Sequence, residues 1–132
     1  EDRSHIIKLE TSLRDIESIR KAIESLCKII EVRENDYYKG YSMSQEKADL
    51  VFKIEDCPYE IGLIKNVDGT YRIAYDPYQG HIEKLIGKDA FRLKQEYSYQ
   101  KLMKEIRKRN LNARIVRQDI KDTQAIQLTV WA

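Results

Sequence analysis

The sequence predicts a small α+β domain: a mainly antiparallel sheet with two principal helices packed on one face. Three observations predict it. Leu13, Ile16, Ile19, Ile23 and Leu26 recur at steps of three and four, one apolar stripe on a helix. Residues 59–76, YEIGLIKNVDGTYRIAYD, read as two strands around a turn. The overall order is strand, helix, several strands, long helix, two strands, which packs most economically as helices over one face of a sheet. A faint strand–helix–strand repeat between residues 5–32 and 71–117 is compatible with a ferredoxin-like arrangement.

The first strand is expected within SHIIKLET (4–11), which is β-branched and apolar. The helix then starts from Ser12 as N-cap, with Asp15 in its first turn and Arg14, Glu17, Arg20, Lys21 and Glu24 on the solvent side. KIIEV (28–32) opens a second strand, and ADLVFKIE (48–55) reads as another. Between them, residues 33–47 are polar and tyrosine-rich and read as a long loop or insertion. Beyond YDPYQGH (75–81), a turn built on Pro77 and Gly80, Asp89 is the expected cap of a long helix. Its apolar stripe is Tyr99, Leu102, Met103 and Ile106. ARIVRQD and AIQLTVW close the chain as a hairpin.

The central hairpin carries enough information to set its register. A two-residue Asp-Gly loop would oppose Leu63 to Ala74 and Ile61 to Asp76. A three-residue loop, Val67-Asp68-Gly69, pairs Ile61 with Tyr75, Leu63 with Ile73 and Lys65 with Tyr71, and places glycine where a left-handed residue is needed. Register follows the face that can be buried, which selects the three-residue loop. One face then holds Tyr59, Ile61, Leu63, Tyr71, Ile73 and Tyr75; the other holds Glu60, Gly62, Ile64, Arg72, Ala74 and Asp76. Gly62 opposes Ala74, leaving a shallow depression on a polar face. Such a glycine marks either a bulge or bend, or a seat for another backbone or a partner's side chain.

At 132 residues the chain is expected to be a single domain, 1–132, with a core of its own. An apolar share of 42% and a charged share of 35% are those of a soluble globular protein with solvated helix faces. A net charge of +2 supplies no global electrostatic address. No apolar run approaches the roughly 18 residues of a spanning helix, no signal-peptide core precedes the first helix, and a cytoplasmic or stromal location is expected. Cys27 and Cys57 are expected as reduced thiols, a disulfide requiring proximity that spacing alone does not show.

Chemistry is sparse. The two histidines, His5 and His81, are far apart and have no partner at metal-ligand spacing. The glycines are scattered and form no phosphate-binding loop. No cofactor and no catalytic residue is expected; an enzyme would need His81 or Cys57 in a pocket beside a perturbed acid. Asp76, Tyr78, Gln79 and His81 gather hydrogen-bonding groups in one turn, a candidate polar site or an ordinary exposed connection. Charge is segregated: residues 101–121 hold eight basic groups (Lys101, Lys104, Arg107, Lys108, Arg109, Arg114, Arg117, Lys121) against two acidic ones. The remainder holds 16 basic and 20 acidic. Such a stripe suits phosphates, an acidic protein surface, or only solvent and a helix dipole.

Several landmarks resemble the hypothetical chloroplast reading frame thirty-five family, a domain of unknown function in cyanobacteria, algal plastids and many bacteria. They are Ser4-His5-Ile6 with Thr11, Ala48-Asp49-Leu50-Val51, Tyr59-x-Ile61-Gly62, Asp68-Gly69-x-Tyr71, Tyr97, and Leu128-x-Val130-Trp131. Order and spacing carry the resemblance across residues 4–131. The tyrosine-rich segment 35–45 and the closeness of the final aromatic to Val130 depart from the family pattern. The resemblance implies no activity; it implies an accessory subunit beside an AAA-type ATPase. The functional expectation is thus a non-catalytic adaptor that docks onto a partner protein, through Gly62, Ala74, Tyr75, Asp76, Tyr78 and His81. The alternative is a nucleic-acid-binding module using the 101–121 stripe.

Overall fold

A computed structural model describes residues 6–109, 113–117 and 126–130. Among these residues lie seven strands and three α-helices: β1 (Ile7–Leu9), α1 (Ile16–Leu26), β2 (Ile29–Asp36), β3 (Ala48–Ile54), β4 (Glu60–Lys65), β5 (Tyr71–Tyr75), α2 (Glu83–Ile86), α3 (Phe91–Arg109), β6 (Ala113–Arg117) and β7 (Ile126–Val130). The first five strands form one sheet in the order β1-β5-β4-β3-β2, and every ladder is antiparallel. β2 to β5 are a plain meander, while α1 carries the chain from the β1 edge to the β2 edge.

This order corrects the ferredoxin-like expectation. A split β-α-β arrangement needs a strand that returns to the sheet after the second helix. Here β6 pairs with β7 in a separate two-stranded sheet.

The α1 stripe buries as its spacing requires: Ile19, Ala22 and Ile23 are fully covered. They meet Phe52, Ile61, Leu63, Ile73 and Tyr75 from the sheet, with Ile82, Ile86, Ala90 and Leu93 from the second helical layer. Both principal helices therefore lie on one face. The helix starts later than expected. Ser12 is not the cap, because residues 11–13 are extended along β5: the Thr11 hydroxyl donates to the Tyr71 carbonyl at 2.6 Å, and the Tyr71 N–H donates to the Leu13 carbonyl at 2.9 Å. Asp15 is the N-cap, accepting from the Glu17 N–H at 3.2 Å. Tyr97 of α3 reinforces that end, its hydroxyl accepting from the N–H groups of Arg14 and Asp15 at 3.3 and 3.1 Å.

Asp89 does not cap α3 as expected. It sits in a 3-10 turn with φ +55°, followed by Ala90 at +58°, and the helix begins at Phe91. Leu93 is fully covered and Ile106 nearly so, with Tyr97 packed at the core's margin, while Tyr99, Leu102 and Met103 of the expected stripe are only half-buried.

The hairpin has the expected register: Gly62 opposite Ala74, Leu63 opposite Ile73, Lys65 opposite Tyr71. Asn66 and Thr70 close the loop, and Gly69 has φ +90°. The largest correction concerns residues 33–47. β2 runs on through Asp36, with Asn35 left-handed at φ +49°, so 33–36 belong to the sheet. Residues 37–47 are a connection, mostly exposed, but Tyr38, Gly40 and Ser44 are buried. The segment forms a strap, held by a Lys39/Met43 bridge and by two bonds between Tyr38 and Ser44, that folds onto the sheet face opposite the helices.

A candidate docking surface at the tyrosine end

The depression expected beside Gly62 exists, and the chain fills it itself. Tyr38 is 1% exposed and lies with Ala48, Val51, Ile64 and Ala74 in a second, smaller core. A Cβ added at Gly62 would stand 3.0 Å from Tyr38 Cδ1 and 3.0 Å from Ala48 Cβ. Gly62 has ordinary strand backbone, so its role is space for the ring rather than a special conformation. Burial and the charge of Glu46 push the Tyr38 hydroxyl up to about 12, against a smaller opposing pull from Arg72. This corrects the docking expectation: Gly62 and Ala74 are a seat, but the occupant is Tyr38.

Two buried carboxylates hold the strap. Glu60 takes a bidentate pair from Arg33, at 2.8 and 2.9 Å, and accepts from the Lys39 N–H at 2.9 Å. Burial pushes its carboxyl up, but Arg33 and the Lys39 N–H outweigh that and hold it below the usual glutamate value. Asp76 is 1% exposed. One oxygen accepts from the Tyr41 N–H at 2.8 Å and the other from the Tyr78 N–H at 2.9 Å. Gly40 must be glycine for this: a Cβ there would lie 2.6 Å from Asp76 Cβ. Asp76 is therefore a clamp that fixes the strap and the turn after β5 side by side.

What the clamp presents is aromatic. Tyr41 and Tyr78 meet edge to face, centroids 5.4 Å apart, while remaining 58% and 41% exposed. Met43 and Tyr37 on the same strap are also exposed, and Lys47 Nζ stands 5.6 Å above the Tyr37 ring. Beneath them Tyr59 meets His81 edge to face at 5.1 Å. Burial raises the Tyr59 hydroxyl, and the neighbouring Asp76, Tyr78 and Tyr41 raise it further.

Of the residues expected to bind a partner, Tyr78 is at the surface and His81 is half-buried. Tyr75 is covered on the helix face, where its hydroxyl donates to Glu83 at 3.3 Å. Tyr37, Tyr41 and Met43 join Tyr78 on this surface although the sequence does not single them out; the tyrosine-rich run YYKGYSM is their signal, and its polar composition equally suits a connection.

Two lysines of the basic stripe are engaged within the fold. Lys104 reaches Asp15 at 2.9 Å and Glu17 at 3.2 Å, and Lys101 reaches Asp15 at 3.7 Å and Glu105 at 3.6 Å. Those two lysines bind α3 to the start of α1. Arg107, Lys108 and Arg109 are exposed in the last turn of α3, Arg109 lying 3.9 Å from Glu105. Arg114 and Arg117 pair through their backbones with Thr129 and Ile126. Lys121, and Ser4, His5 and Trp131 of the family landmarks, lie outside the described residues.

Chemistry elsewhere is muted. Burial pushes the Cys27 thiol up to about 11, with a smaller contribution from Cys57, whose own thiol is raised by burial. Both thiols are thereby less nucleophilic than a free cysteine. Among the described residues no group of three His, Cys, Asp or Glu side chains could hold a metal, and no helix is long and apolar enough to cross a membrane. An open hollow of about 480 Å³ beside α3 is lined by Glu10, Thr11, Ser12, Leu13, Lys94 and Ser98, and contains neither cysteine nor histidine.

No protein-family model, curated protein or solved structure matches this chain. Of the residues that carry the plastid-frame resemblance, Thr11 bonds to Tyr71, Tyr97 holds the start of α1, and Gly69 donates to Asn66 in the turn.

Proposed function

We propose that the protein is a non-catalytic docking module, an accessory or adaptor domain, and that it docks through the tyrosine end. One observation carries this reading. Among the described residues, Tyr37, Tyr41, Met43 and Tyr78 are four of the seven exposed large hydrophobic side chains, and they are concentrated on the strap and the turn clamped to it. Tyrosine and methionine are enriched in the cores of protein interfaces, and aromatic rings on a fixed backbone lose little conformational freedom on binding. The plastid-frame resemblance points to an AAA-type ATPase as the partner class.

Co-purification from native cells tests the reading. Tyr41→Ser, Met43→Ser and Tyr78→Ser together should remove the partner. Val67→Ser, at the exposed hairpin tip on the far end of β4 and β5, should leave it bound. Equal recovery by both variants, or a monomer with no partner, would overturn the docking reading. A second reading, nucleic-acid binding, is favoured by the exposed Arg107, Lys108 and Arg109. Salt-dependent retention on nucleic acid that disappears when all three become Glu would support it.

A further inference from the structure

We infer that Cys27 and Cys57 are a disulfide site, a pair of thiols that the fold places for an intramolecular bond formed by exchange with a small disulfide of the glutathione class. The inference does not depend on the docking reading.

The two cysteines of the sequence stand 30 positions apart, and the fold brings them to one end of the sheet. Cys27 ends α1, its N–H donating to the Ile23 carbonyl at 3.0 Å, and Lys28 leads directly into β2. β2 and β3 pair from Ile29 and Ile54, and the ladder runs one step further, the Glu55 N–H donating to the Lys28 carbonyl at 2.9 Å. There the chain turns back. Asp56 is left-handed at φ +58°, and the Cys57 N–H donates to the Ile54 carbonyl at 3.3 Å. A turn closed in this way keeps its end residues within about 7 Å of each other. Cys27 and Cys57 thus flank the same rung, Lys28 to Glu55. A disulfide joins α-carbons about 4.4–6.8 Å apart, and opposed residues of an antiparallel ladder stand about 4.5–5.5 Å apart. Both side chains are half-buried against the same core, and both are free thiols. Each is close enough to matter to the other: Cys57 adds to the upward push of burial on the Cys27 thiol.

The surroundings assign different roles to the two sulfurs. The Cys27 thiol donates to the Ile23 carbonyl at 3.3 Å and is pushed up to about 11. Burial also raises Cys57, but the Tyr59 N–H opposes it. Cys57 is therefore the attacking thiol and Cys27 the resolving one. The Cys57 thiolate attacks one sulfur of the small disulfide; a mixed disulfide forms and one small thiolate leaves, taking up a proton. The Cys27 thiolate then attacks Cys57 Sγ, the protein S–S bond forms, and the second small thiol departs. The chain gives up two hydrogens and two electrons, which reduce the oxidant to two thiols. The bond ties the end of α1 to the turn that delivers Tyr59 and Glu60 to β4, and Glu60 in turn holds the strap through the Lys39 N–H.

The experiment equilibrates the full chain with mixtures of reduced and oxidised glutathione, once folded and once in guanidinium, then alkylates free thiols and weighs the products. A species lighter by two hydrogens and free of glutathione is expected, with peptide mapping placing the link between Cys27 and Cys57. Its equilibrium constant should be at least about tenfold larger for the folded chain than for the denatured one, because a link that fits native geometry restrains mainly the unfolded ensemble. Cys27→Ser and Cys57→Ser should each stop at a single glutathione adduct, formed faster in Cys27→Ser, which retains the attacking thiol; the reverse order would overturn the assigned roles. Where a variant fails to fold, the wild-type equilibrium decides. Two glutathione adducts on one chain, a link found only between chains, or a constant no larger folded than denatured would overturn the inference.

Discussion

Adding one methyl group at Gly62 is a direct probe of why the sheet has a hole in it. In an isolated strand Gly→Ala should stabilise, by about 0.5–1 kcal/mol, because glycine loses the most backbone freedom on folding. Here the new Cβ meets Tyr38 Cδ1 and Ala48 Cβ at 3.0 Å, and Tyr38 Cγ at 3.2 Å, inside ordinary van der Waals contact. Overpacking of this kind costs about 1–3 kcal/mol. The net expectation for Gly62→Ala is a loss of about 1 kcal/mol. Tyr38→Ala empties the seat and should cost about 3–5 kcal/mol, as for other large aromatic truncations. In that background the two Tyr38 contacts are gone and only Ala48 Cβ remains at 3.0 Å, so Gly62→Ala should lose most of its cost. The double-mutant cycle should therefore show coupling of about 1 kcal/mol, above the few tenths expected of independent sites. Urea unfolding followed by tyrosine and tryptophan fluorescence measures all four variants. Additive effects would refute the claim that Gly62 exists to seat Tyr38.

Three further outcomes are expected. Gly40→Ala places a Cβ 2.6 Å from Asp76 Cβ and 2.7 Å from its Oδ2; it should cost about 2 kcal/mol or more and open the 37–47 strap to limited proteolysis. Asp15 is raised by burial but held down to about 2, from 3.8, by Lys104 and Ser18. A depressed carboxyl stabilises the fold above its unfolded value and loses that contribution as pH falls through the folded one. The advantage of wild type over Asp15→Asn, which keeps a capping side chain, should be roughly 2 kcal/mol near neutrality. It should vanish between about pH 4 and pH 2 in pH-resolved unfolding. Lys104→Glu should lower the thermal midpoint by setting three acids together at the start of α1. Replacing Arg107, Lys108 and Arg109 with Glu sets acids at the negative end of the α3 dipole and one beside Glu105, and should cost about 1–2 kcal/mol by calorimetry. Replacing them with Gln removes the charge without that repulsion, so loss of nucleic-acid retention by both variants is the clean test.

The alternation of residues 59–76 and the demands of a turn with glycine in its third loop position determined the hairpin's register and both of its faces, because these depend on neighbouring residues alone. The spacing of Ile16, Ile19 and Ile23 likewise determined which side of α1 is buried. The position of its cap was not local: it depends on Thr11 and Leu13 bonding to Tyr71, 60 residues away from Thr11. The tertiary structure alone decided that Lys104 belongs to Asp15, 89 positions earlier, and not to a free cationic stripe. It also decided that Asp76 anchors the strap instead of lining an open turn. Periodicity shows that a face is small or apolar, but not which distant segment covers it. That is why the sequence could set Gly62 opposite Ala74 in a depression, while the choice between a bend and a seat, Tyr38 as the occupant, and the tyrosine surface that follows from it, required the folded chain.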